Sequence, residues 1–284
     1  MKCSRLIPYV GVALVSLSFA APVSAQDEAA GPVAQEASAI DPVAADLVIQ
    51  STDFLAQQEH FGFTWFLTSD QVVDGREKIT SIESGKIEMQ RGDGFVARTE
   101  RGGTYRDYYY DGSAFTVVSP NEQFYGSVAF EGTYEELVEA VRESTGLILP
   151  LWTLLTSNLT DRLLADVDAA AYLGTTLLAG KEVHHIAFSS YERDWQIWIS
   201  TDDDMPLPLM IIGTESHEQG WPQFRVNLMD WDLSSSIDIS QFSYEPDEGM
   251  TPITLPFLVE EDGDDQQASA ENLTGQALDE GEAG

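Results

Sequence analysis

The stretch Arg193–Gly213, reading RDWQIWISTDDDMPLPLMIIG, constrains the fold more than any other part of the chain. Strand side chains alternate between faces, so a strand here sets Trp195, Ile197 and Ile199 on one side and Gln196 and Trp198 on the other. Thr201–Asp204 breaks the run, and Pro206 and Pro208 lead in extended conformation into Leu209–Ile212. In that second strand Leu209 and Ile211 face one way and Met210 and Ile212 the other, so both faces are apolar. A sheet of this kind has to be covered on both sides, by helices, a second sheet or a ligand. What covers each face is therefore the functional question.

Period-two patterning runs through most of the chain. From His60, the residues Phe61, Phe63, Trp65 and Leu67 share one face, with Gly62, Thr64, Phe66 and Thr68 on the other. Strand-like runs follow at Lys78–Gln90, Gly94–Arg101, Tyr105–Asp111, Ala114–Ser119 and Gln123–Phe130. They are separated by Gly92-Asp93-Gly94, Gly102-Gly103, Asp111-Gly112 and Pro120-Asn121, which suit tight turns. The spacing predicts an antiparallel meander. Strands resume at Ala170–Leu178, Glu182–Ser190 and, after the opening hairpin, Pro222–Leu233.

Helices are few. Asp41-Pro42 pairs an N-cap residue with proline at the first helical position, and Ala44, Leu47, Val48, Ser51 and Leu55 then recur at helical spacing. Thr133-Tyr134-Glu135-Glu136 matches a capping box, followed by an apolar stripe of Tyr134, Leu137, Val138 and Val141 and a C-cap at Gly146. Pro150–Thr156 and Asp161–Ala165 read as short helical pieces. The first is apolar almost all round (Leu151, Trp152, Leu154, Leu155), which suits burial against a sheet or in a cavity.

The ends differ from the middle. Lys2 and Arg5, the apolar run Val10–Ala20 and the small-residue site Val23-Ser24-Ala25 read as a signal peptide, 1–25, that directs export. Residues 26–39 read as a flexible leader, and a domain is expected over 40–249. From 250 to 284 the chain turns acidic, with no Lys or Arg after Arg225, and reads as a disordered tail. The sole cysteine, Cys3, lies before the apolar run, so no disulfide is expected. The 48 acidic residues against 14 basic give a formal charge of −34. Such a surface repels phosphate backbones and anionic headgroups, arguing against nucleic acid as a partner. The apolar run is too short to favour an integral membrane protein.

No local motif announces catalysis. His184-His185 point to opposite faces of a strand and cannot share a metal. His60 and His217 lack partners at ligand spacing. Asp202–Asp204 and Asp262–Asp265 lack the alternating spacing of a calcium loop. No metal, no cofactor and no enzymatic activity are expected. The aromatics Tyr105, Tyr108, Tyr109, Tyr110, Phe115, Phe124 and Tyr125, with Trp195, Trp198, Trp221 and Trp231, exceed what the few short helices can cover.

Taken in order, Ile40-Asp41-Pro42, Tyr110-Asp111-Gly112, Tyr172-Leu173-Gly174 with Gly180, and His185-Ile186-Ala187-Phe188 belong to a recognisable pattern. So do Asp194-Trp195-Gln196-Ile197-Trp198-Ile199, Pro206-Leu207-Pro208, and Gln223-Phe224 followed by Trp231. Over Ile40–Gly249 the chain resembles the predicted periplasmic proteins grouped as domain of unknown function 2092. That family is in turn similar to the lipoprotein carriers LolA and LolB and to sensor domains such as RseB. The resemblance implies an α+β fold: a curved antiparallel sheet, an incomplete β-barrel, with helices covering its concave face. It also implies an apolar cavity that receives a lipid, a lipoprotein acyl chain or another hydrophobic small molecule. Candidate lining residues are Phe66, Tyr108, Tyr110, Trp152, Leu155, Trp198, Met210 and Ile212. Trp198 is assigned to the cavity because Trp195 shares its face with Ile197 and Ile199, a ready-made core stripe. The rival expectation is an RseB-like envelope sensor or interaction domain whose hollow is filled by its own helices and which meets an envelope protein partner. A hydrolase with a dispersed site is a third.

Overall fold

Asp41 caps the first helix, α1 (Pro42–Ala56): its carboxylate accepts from the Val43 amide at 2.9 Å, and Pro42 stands at the first helical position. The computed structural model describes residues 39–145, 151, 154–191, 193–233 and 238–255. The expected signal peptide, the leader to Ser38, Gly146, Trp152 and the chain from Pro256 onward lie outside the described residues.

The meander follows α1 as β1 (His60–Val73), β2 (Glu77–Gln90), β3 (Gly94–Arg101), β4 (Thr104–Tyr110), β5 (Ala114–Ser119) and β6 (Phe124–Ala129). The capping box then forms α2 (Tyr134–Thr145). The Thr133 amide donates to the Glu136 carboxylate at 2.7 Å, and the Glu136 amide donates to the Thr133 hydroxyl at 3.2 Å. A short helix, α3 (Leu159–Leu164), precedes the second run: β7 (Val167–Leu178), β8 (Lys181–Ser190), β9 (Arg193–Ser200), β10 (Pro208–Glu215) and β11 (Gln223–Asp232).

These eleven strands and β12 (Thr251–Pro252) belong to one curved, unclosed sheet of 12 strands, in the order β12-β6-β5-β4-β3-β2-β1-β11-β10-β9-β8-β7. Every pairing is antiparallel except the last, in which β12 runs parallel to β6. The chain enters the sheet at its middle, meanders to one edge, crosses through the helices to the opposite edge, and meanders back until β11 meets β1.

The two faces are unequal. Ala44, Val48 and Leu55 of α1, Tyr134, Leu137 and Val141 of α2, and Leu151, Leu154, Leu155 and Leu159 share one buried core with Phe61, Phe63, Trp65, Phe95, Tyr110, Ile186, Ile197 and Ile211 of the sheet. Helices and sheet thus bury one another's apolar sides, the arrangement an α+β layer needs. The face turned away from the helices carries a small cluster, Val183, Trp198, Met210 and Ile212, and further along buries Val96 and Val118 where the 3-10 turn Ile239–Phe242 packs against β3 and Tyr244 against Tyr109.

Residues Thr251–Leu255, expected to begin the tail, dock on the sheet. The Thr251 and Ile253 amides donate to the carbonyls of Gln123 and Tyr125, and Leu255 is buried in the main core. Gly126 makes room for it, since a Cβ there would lie 2.6 Å from the Leu255 side chain. The described sheet and core thus include residues as far as Leu255.

Candidate functional site

Cross-strand register decides which side chains share a face. One row reads Tyr172–Ile186–Ile197–Ile211–Val226–Leu67, apolar from β7 to β1 and packed in the main core. The neighbouring row on the opposite face reads His185–Trp198–Met210–Asn227–Phe66–Ser84. The helices lie on the unbroken row, because a row interrupted by His185, Asn227 and Ser84 offers less apolar area to bury.

The sequence-derived candidates accordingly divide between the faces. Phe66, Trp198, Met210 and Ile212 lie away from the helices: Trp198 stacks on His185 at 4.2 Å between centroids, and Phe66 is 37% exposed. They cannot line a hollow under the helices; of the two tryptophans it is Trp195 that faces that side. Tyr108, Tyr110 and Leu155 do face the helices. Leu155 is fully buried, Tyr108 packs against the core, and the Tyr110 hydroxyl donates to the Gly132 carbonyl at 2.5 Å.

Among the described residues, two of the clefts that open onto this core border the helices. The wider opening is a cleft of about 480 Å³ between α3 and strands β8 to β11. Its floor is apolar: Trp195 and Ile211, both also part of the main core, with Leu163, Val167 and Phe224. Phe224 lies flat on Gly213, directly opposite it in the register, where a Cβ would come within 2.3 Å of the ring. Trp195 stacks on Phe188 at 4.0 Å, which fixes its indole. The rim carries Arg162, Asp166, Ser190, Tyr191 and Arg193.

The narrower opening, about 280 Å³, lies between α2 and the β2–β3 turn and includes Arg91, Phe95, Tyr110, Tyr134, Glu135 and Ser157. Arg91 donates to three carbonyls: Nε to Gln58 at 2.9 Å, Nη1 to Leu155 at 2.9 Å and Nη2 to Leu55 at 3.1 Å. Two of these lie at the C-terminal end of α1, where carbonyls lack helical partners and a cation is favoured. Its guanidinium also sits over the Phe61 ring at 5.2 Å. Burial lowers the Arg91 pKa, with Glu135 opposing the shift. For Glu135 burial works to raise the pKa, but the Ser157 amide and hydroxyl, donating at 2.8 and 2.9 Å, and nearby Arg91 hold it below the usual range. Burial pushes the Tyr134 phenol well up, so it stays neutral. This constellation ties α1, α2 and the Leu151–Leu159 segment to the sheet.

The sequence reading gave no site role to Arg91, Arg162, Arg193 or Phe224. For Phe224 a signal was present, because a glycine inside an apolar strand, Gly213, marks a close approach. The arginines carry no such mark. Among the described residues no group of three or more His, Cys, Asp or Glu is placed to hold a metal ion, and no helix is long and apolar enough to cross a membrane.

A family model described as predicted periplasmic protein (DUF2092) matches residues 44–256. The chain belongs to this family. Its placement in the periplasm follows from that membership. The DUF2092 match also extends past Gly249 to the docked segment around Leu255. No curated protein matches the chain significantly. Similar solved structures include the Mycobacterium tuberculosis lipoprotein LppX, with 14% identity over 70% of this chain and 100% of that one, at a TM-score of 0.43. LprF from Mycobacterium bovis has 9% identity over 70% and 97%, at 0.45. A LolA superfamily protein from Nitrosomonas europaea has 8% identity over 71% and 97%, at 0.30.

Proposed function

We propose that this DUF2092 protein is a periplasmic binding or carrier protein for a hydrophobic molecule, a lipid or a lipoprotein acyl chain, received through the cleft between α3 and strands β8 to β11. The observation that carries this reading is the double membership of Trp195 and Ile211: both belong to the buried core, and both form the floor of a cleft open to solvent. An apolar floor beneath a polar rim, in a volume near 480 Å³, is the usual form of a small-molecule site.

A second reading draws on the solidity of the core. Ala44, Val48, Leu137, Leu155 and Leu159 are all 2% exposed or less, so the helices themselves fill much of the hollow. A sensor or interaction domain that recognises an envelope protein would be built this way. Mass spectrometry of an organic extract of natively purified protein separates the two, together with titration of the extracted protein with the neutral dye Nile red. Co-purifying lipid and saturable dye binding lost in Trp195→Ala support the carrier. An empty extract and no dye binding support the interaction domain.

A further inference from the structure

Against a formal charge of −34 and only 14 basic residues, the rim of the wider cleft sets two guanidinium groups, Arg162 and Arg193, around one apolar floor. We propose that this cleft binds an anionic amphiphile, an acyl chain bearing a carboxylate or phosphate headgroup, with Arg162 and Arg193 holding the headgroup. The inference rests on the hydrophobic-ligand reading above and adds the class of ligand.

The two arginines are held differently. Arg193 is oriented by Glu215, whose Oε1 accepts from Nε at 2.7 Å and lies 2.5 Å from Nη2, and its guanidinium stacks over Phe224 at 5.8 Å. That grip uses one edge of the fork and leaves the Nη1 edge without a described partner. Arg162 is anchored through Nε alone, which donates to the Asn158 side chain at 3.0 Å, and it forms no ion pair among the described residues. Guanidinium edges of this kind match the paired oxygens of carboxylate and phosphate. Among the described residues two carboxylates oppose the pair, Glu215 bound to Arg193 and Asp166 on the rim, and Asp166 disfavours an anion placed beside it at the α3 end of the cleft. The headgroup therefore belongs between the arginines, with the chain running over Phe224 and Ile211 toward Trp195. The molecule's overall charge would draw cations to any neutral cleft, so a preference for anions here would have to come from this local pair.

The test compares ligands of one chain length on the delipidated full-length mature protein: oleate, oleoyl lysophosphatidic acid and oleyl alcohol, each below its micelle concentration, displacing Nile red. At least one of the two anions is expected to bind about tenfold more tightly than the alcohol, the gain of a charge-assisted contact. Which anion binds more tightly identifies the headgroup. Arg162→Gln with Arg193→Gln should bring the anion to the affinity of the alcohol while leaving the alcohol unchanged, with folding checked by circular dichroism. Equal affinities of acid and alcohol in the unaltered protein overturn the headgroup assignment and leave the hydrophobic-ligand reading standing. Binding of none of the three overturns both. The comparison in the unaltered protein decides the matter even if the double variant misfolds.

Discussion

Removing the Arg91 guanidinium should loosen the helical cover from the sheet, and the size of the effect follows from its three acceptors. Arg91→Met keeps the aliphatic stem and deletes the hydrogen bonds to Leu55, Gln58 and Leu155 together with the contact over Phe61. Hydrogen bonds to a charged group contribute about 1.5–3 kcal/mol each when fully buried. Arg91 is only part-buried, and part of the loss is regained by water reaching the freed carbonyls. The net cost should be about 3 kcal/mol, which for a domain of this size corresponds to a fall in Tm of about 6–12 °C. Urea unfolding followed by tryptophan fluorescence and by far-ultraviolet circular dichroism measures it, and the midpoint should fall with an unchanged slope. Arg91→Lys should recover less than half, because one ammonium lacks the fork that reaches three separate oxygens. A loss under about 0.5 kcal/mol, or full recovery with lysine, would show that the contacts seen at Arg91 do not hold the cover in place.

Trp195→Ala and Trp198→Ala should each cost about 3–5 kcal/mol, since both side chains are buried, but only Trp195→Ala should weaken Nile red binding; the reverse pattern in dye titrations would refute the face assignment. Truncation after Gly249 should destabilise by about 2–5 kcal/mol, as Leu255→Ala alone should, while truncation after Leu255 should leave the urea midpoint nearly unchanged. Glu135 contributes stability that is complete above the ordinary carboxylate range and is lost as pH falls through its lowered folded value. The stability difference between the unaltered protein and Glu135→Gln should therefore be constant near neutrality and shrink as pH falls below the ordinary carboxylate range, measured by urea unfolding at stepped pH.

Local rules carried the sequence a long way here. The Asp41 cap, the Thr133–Glu136 box and the strands Gly94–Arg101 and Ala114–Ser119 appear in the structure where turn and period signals placed them. These features are set by neighbours within a few residues. The division of β9 and β10 between two faces is different. Trp195 and Trp198 are equally apolar, and the choice between them is made by strands far away in sequence: Val226 and Leu67 extend one row, while Asn227 and Ser84 interrupt the other. The docking of Leu255 depends on Gly126, a partner more than a hundred residues earlier, and on a parallel pairing that no hairpin turn signals. Arg91 reads as an ordinary turn residue until α1 and Leu155 are brought to it.

The route of the chain through its sheet has a kinetic consequence. Strands β1 to β6 and β7 to β11 are each built from neighbours in sequence, whereas β1 meets β11 with partners such as Trp65 and Leu228. Closing a loop of that length costs more entropy than forming any single hairpin, and the cost is met only once both rims of the join exist. Folding should therefore proceed as two half-sheets that form separately, with their union as the slow step. Substitutions at the join, Trp65 or Leu228, should slow folding, while those within one half, such as Ile87, should mainly speed unfolding. Until the halves join, each exposes the apolar strand edge that the other will cover, and at that stage the chain is most open to capture by a chaperone or by a second copy of itself.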